Sequence, residues 1–93
     1  MILHTVNKSP YSSPCLTDCI ALCSEGDAIL LIEDGVYAAQ DAYSIAAENK
    51  VYALQADIEA RGLSGKLAAN VTVIDDSGFV MLATQHEKVV SWY

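Results

Sequence analysis

Ala28-Ile29-Leu30-Leu31-Ile32 constrains this chain more than any other stretch, being five consecutive apolar residues closed abruptly by Glu33-Asp34-Gly35. A strand with one wet face alternates apolar and polar residues. An unbroken run predicts a strand covered on both faces, the habit of parallel sheets. Val36 to Ala47, rich in alanine, predicts a helix directly after it, so the two form half of a βαβ unit. Ligands and partners of such sheets gather at the carboxyl ends of the strands. That makes Glu33, Asp34 and Gly35 candidates for function, with favourable placement at a helix N-terminus as their plainer role.

The remaining segments repeat the alternation. Met1 to Val6 reads as a first strand, and Asn7 to Pro14, with two prolines and three serines, as a surface loop. Ser13 and Pro14 suit the start of a helix whose apolar positions 16, 19, 20 and 23 share one face, ended by Ser24-Glu25-Gly26-Asp27. Val51 to Leu54 reads as a third strand, Gln55 to Arg61 as a short helix closed by Gly62, and Leu63 to Leu67 as a mobile connection. Val71 to Ile74 is a fourth strand. Asp75, Asp76 or Ser77 caps a last helix running to about Gln85, with His86 and Lys88 favouring its C-terminal dipole, and Val89 to Tyr93 is a fifth strand. The expected fold is α/β, a three-layer sandwich around a mostly parallel sheet of four or five strands joined by right-handed crossovers.

A chain of 93 residues holds one domain, 1–93, near the lower limit for burying an adequate core unaided. Its residues are 53% hydrophobic and only 18% charged, which points to apolar surface covered by a partner. Neither a membrane-length apolar run nor a signal-peptide pattern is present, so a cytoplasmic protein is expected. Twelve acidic side chains against five basic ones give a net charge of −7, with Arg61 the sole arginine. That balance lacks the cationic footprint for direct nucleic-acid binding.

Motif chemistry is sparse. No glycine-rich phosphate cradle follows a strand, so no nucleotide cofactor is expected. His4 and His86 lie at opposite ends of the chain, and His4 reads as a residue packed within the first strand. Asp34, Asp41, Asp75 and Asp76 could form an acidic pocket at the carboxyl edge, although capping and solvation account for them more simply. Cys15, Cys19 and Cys23 repeat every four residues along one helical stripe. A rise of ~1.5 Å per residue puts the outer pair ~12 Å apart, too far for one metal ion to bind all three. Three thiols without a secretion signal suggest the reduced state. Cys19 and Cys23 share the face of Leu16 and Ile20, whereas Cys15 in the first turn would feel the helix dipole, which favours thiolate.

Four segments in order, Leu3 to Pro10, Glu25 to Ala39, Val51 to Gly62, and Gly78-Phe79-Val80 with Trp92, resemble the DsrH/TusB family almost from end to end. The resemblance implies an α/β sandwich and a small subunit of a cytoplasmic sulfur relay. That relay is either the TusBCD type, which passes persulfide sulfur toward 2-thiolation of the tRNA wobble uridine, or the DsrEFH type of sulfur-oxidising bacteria. It implies TusC/DsrF-like and TusD/DsrE-like partners in a hetero-hexamer. Six residues before the Glu-Gly pair, DsrH-type members have a cysteine, here Cys19, as a candidate persulfide carrier. A different class of function, a free-standing homo-oligomeric regulatory or ligand-binding domain without thiol chemistry, stands beside this one.

Assembly is expected from apolar surplus. The helix foreseen over Val36 to Ala47 carries apolar residues on more than one face. Val36, Tyr37, Ala39, Ala42 and Tyr43, with Trp92 near the terminus, are the candidate interface, for a homo-oligomer when the chain is alone.

Overall fold

A computed structural model describes all 93 residues. The chain folds into five strands, β1 Ile2–Val6, β2 Ala28–Leu31, β3 Lys50–Leu54, β4 Val71–Ile74 and β5 Lys88–Trp92. Between them lie α1 Cys15–Leu22, a 3₁₀ helix Glu33–Ala39, α2 Gln55–Ala60 and α3 Asp76–Gln85. Every strand pairing is parallel and the spatial order is β4-β3-β2-β1-β5. The apolar run is indeed central, with all four β2 residues buried.

Alternation along the strands divides the core into two layers. Val6, Ile29, Leu31, Val51 and Ala53 face α1, the 3₁₀ helix and α2, where they meet Leu16, Cys19, Val36 and Ile58. Leu3, Ala28 and Leu30 face α3 through Leu82 and Phe79. Each fully buried aliphatic side chain stabilises the fold by roughly 1.5–3 kcal/mol. α3 leads from β4 at one edge of the sheet to β5 at the other. This crossover sets the N-terminal and C-terminal strands side by side, with Leu3 opposite Val89 and Val6 opposite Trp92.

Local capping follows the sequence at α2 and α3. At α1 the expected Ser13 cap shifts by one: Pro14 takes the N-cap position and no side chain caps the helix, while Ser13 Oγ accepts the Cys15 N–H at 3.2 Å from the turn before it. Asp75 Oδ1 accepts the Gly78 N–H at 2.9 Å, starting α3. Gly62, with φ of +67°, closes α2 in the left-handed region that glycine tolerates. His86 Nδ1 lies 2.7 Å from the Leu82 carbonyl at the end of α3.

The helix expected over Val36 to Ala47 does not form. Helical backbone begins earlier, at Glu33, winds as 3₁₀, and stops at Gln40, whose ψ of 141° is extended. One antiparallel bridge, made by two hydrogen bonds, overrides the alanine propensity. Gln40 bridges Leu67 antiparallel, the Ala68 N–H bonds to the Ala39 carbonyl at 2.9 Å, and the Asp41 N–H bonds to the Lys66 carbonyl at 2.8 Å. The same contacts correct the expected mobile connection at Leu63 to Leu67, which is pinned, with Leu63 buried in the core. The candidate interface changes with them. Val36 and Ala39 are fully buried inside the chain's own core, while Ala42 is exposed and Tyr37, Tyr43 and Trp92 are half-buried.

Candidate functional site

The three thiols occupy different environments. Cys19 is fully buried against the sheet, and burial, with Cys23 alongside and the charge of Asp27 beyond it, pushes its thiol up to about 12. Burial also raises the Cys23 thiol, partly offset by its hydrogen bond with Cys19. Both are protonated at neutral pH and are weak nucleophiles. Cys15, in the first turn of α1, is half-buried and donates its S–H to the Tyr93 carbonyl at 2.8 Å.

The richest polar cluster lies at the amino ends of the strands. Asp27, 6% exposed, receives three N–H donors: Ile2 at 2.9 Å on Oδ1, and Ser24 at 3.0 Å and His4 Nε2 at 3.1 Å on Oδ2. The Ser24 and His4 bonds, with Ile2 adding to them, hold its carboxyl down at about 2 against the opposing effect of burial. On the other side of the imidazole the Trp92 indole N–H donates to His4 Nδ1 at 3.1 Å. Asn49 Nδ2 binds the carbonyls of Ser24 and Asp27, tying the same turn to β3. A cleft of about 660 Å³ opens beside it, with Cys23, Glu25, Asp27, Glu48, Lys50 and His86 among its walls.

His4, Cys23 and Asp27 bring their donor atoms within 4.8 Å of one another, a set of zinc-ligand types. Both nitrogens of His4 are engaged, however. Indole N–H only donates, so Nδ1 is an acceptor and the neutral ring carries its proton on Nε2, facing Asp27. No lone pair is free for a metal unless Trp92 turns away. Composition and spacing gave no sign of this cluster beyond a polar residue inside an apolar strand. His4 is more than a packed strand residue, and Asp27 is more than the end of a helix.

The carboxyl edge is arranged differently from the expectation. Asp34 accepts from Arg61 Nε at 3.1 Å and Nη2 at 2.9 Å, while Asp57 Oδ2 accepts the Glu33 N–H at 2.7 Å. Arg61 also lies 6.0 Å from the centre of the Tyr37 ring. These contacts hold Glu33 at φ +49°, a strained value for a residue with a side chain. Gly35 packs so closely under β1 that any Cβ would overlap the Val6 carbonyl. Asp34, Asp41, Asp75 and Asp76 do not gather into one pocket: Asp34 serves Arg61 and Asp75 caps α3.

Residues 8–89 match the family described as DsrH like protein. The chain belongs to this DsrH-like family. Protein TusB of Escherichia coli is 42% identical over 99 residues, covering 98% of this chain and all of that protein. The ychN protein of Escherichia coli shares the fold, with a TM-score of 0.79 and 18% identity over 97% of each chain. A Thermotoga maritima protein solved by NMR has a TM-score of 0.73 and 31% identity over 94% of this chain and 95% of that one. In this DsrH-like chain, the cysteine singled out by family resemblance, Cys19, is thus the most deeply buried of the three thiols. No helix is long and apolar enough to cross a membrane.

Proposed function

We propose that this DsrH-like chain is an accessory, docking subunit of a cytoplasmic sulfur relay. It supports persulfide transfer toward 2-thiolation of the tRNA wobble uridine, in a hetero-hexamer with TusC/DsrF-like and TusD/DsrE-like subunits. The observation that carries the proposal is the end-to-end likeness to Protein TusB. Thiol environment supports the accessory role, because Cys19 is buried and its thiol protonated, conditions that oppose attack on a persulfide. The net charge of −7 favours contact with tRNA through partners rather than directly. Exposed apolar side chains at Leu22, Val80, Met81 and Val89, with Ala42, supply area for docking. The DsrEFH-type role in sulfur oxidation is the second reading, favoured by the presence of Cys19 at the family position.

The test is replacement. This chain is expressed in Escherichia coli lacking Protein TusB, and thiolated tRNA is resolved from unthiolated tRNA on mercury-containing gels. Thiolation should return, equally with Cys19→Ala, and the chain should co-purify with the host's other relay subunits. A folded chain that neither restores thiolation nor binds those subunits would overturn the TusB-like role. Restoration lost in Cys19→Ala alone would move Cys19 from packing to sulfur carriage.

A further inference from the structure

We infer that His4 is a proton-operated latch on the C-terminal strand: neutral, it ties Trp92 of β5 to Asp27 at the head of β2, and with a second proton it releases Trp92. The chain of donors runs one way, from the indole N–H to His4 Nδ1 and from His4 Nε2–H to Asp27 Oδ2, each over 3.1 Å. The only lone pair left on the neutral ring is at Nδ1, so a second proton must go there. It converts the acceptor into a donor facing another donor, and the Trp92 bond breaks. The Asp27 bond does not break, because the imidazolium gains a carboxylate partner at the same 3.1 Å. Asp27 stays ionised to about 2, so it does not take up the proton in place of His4.

Groups facing His4 from the surrounding elements are few. Asp27 comes from the head of β2, the Cys23 thiol from the end of α1, and Trp92 from β5. Its register neighbours Ile29 and Val90 are apolar. His4 is only 4% exposed, which limits competition from water at Nδ1 in the latched state. β5 is an edge strand paired only with β1, and Trp92 is its last residue, so no second strand resists the release.

Trp92 is the only tryptophan, which gives the latch its own reporter. Long-range proton–nitrogen spectra of the intact ¹⁵N-labelled chain, recorded from about pH 8 down to about pH 4, read the His4 ring nitrogens and the Trp92 indole N–H together. At the upper end His4 should carry its proton on Nε2 alone. As His4 titrates, the Trp92 indole N–H should lose its hydrogen-bonded shift and its protection from solvent exchange at the same midpoint. In His4→Gln the indole signal should stay constant over that span. A proton on Nδ1 at the upper end, a His4 ring that gains no second proton down to the acid end, or an indole resonance and exchange rate unmoved as it gains one, would overturn the latch. These readings come from wild-type protein, so they stand even if His4→Gln fails to fold.

Discussion

Asp27→Asn tests how much of the fold hangs on one buried carboxylate. The wild-type carboxylate takes three N–H donors on two oxygens. Asparagine offers one oxygen, and its amide nitrogen would face at least one of those donors in either orientation. Loss of charge-assisted bonds with a donor left unpaired costs about 2–3 kcal/mol. The pH route gives a similar figure. Folding lowers the carboxyl from the ordinary 3.8 to about 2, a difference of about 2 kcal/mol. Because the folded value is the lower one, the unfolded chain binds the proton first. The stabilisation is therefore complete above about pH 4 and is lost as pH falls toward about 2. Against a total stability of roughly 5–15 kcal/mol the change is large. Urea unfolding followed by circular dichroism should show Asp27→Asn weaker by about 2 kcal/mol at neutral pH, with the gap closing through the acid range. A gap under ~0.5 kcal/mol at neutral pH, or one that persists at the acid end, would refute the reasoning.

Other substitutions follow from burial and close approach. Iodoacetamide under native conditions should label Cys15 first, Cys23 with its raised thiol more slowly and Cys19 last, read by peptide mass spectrometry, and early labelling of Cys19 would contradict its burial. Ala39→Asp should unfold the chain, since it places a charge in the core, whereas Ala42→Asp should change stability by less than ~0.5 kcal/mol in urea. If Ala42 lies at an interface, Ala42→Asp should also reduce the mass seen by light scattering. Gly35→Ala should cost about 2 kcal/mol or more in thermal unfolding because backbone at Val6 blocks the methyl group, and a cost within ~0.5 kcal/mol would show that β1 yields easily.

Short-range physics made much of this protein legible in its sequence. The apolar run at Ala28 to Ile32 specifies the buried central strand, Asp75 and Gly62 place the ends of α3 and α2, and the four resembling segments identify the family before any contact is known. Val36 to Ala47 shows where that reasoning stops. Alanine propensity favours helix by tenths of a kcal/mol per residue, and hydrogen bonds from residues 66–68 together with burial of Val36, Ala38 and Ala39 outweigh it. The thiols show the same limit, because four-residue spacing gives a stripe but not its depth in the core. The His4–Asp27–Trp92 chain belongs wholly to the tertiary level. His4 and Trp92 are 88 positions apart, and only the crossover through α3, which lays β5 beside β1, brings the indole N–H to the imidazole. Periodicity reports which face a residue takes, but strand order is set by how the whole sheet covers its two faces, and that decides which distant polar groups satisfy one another.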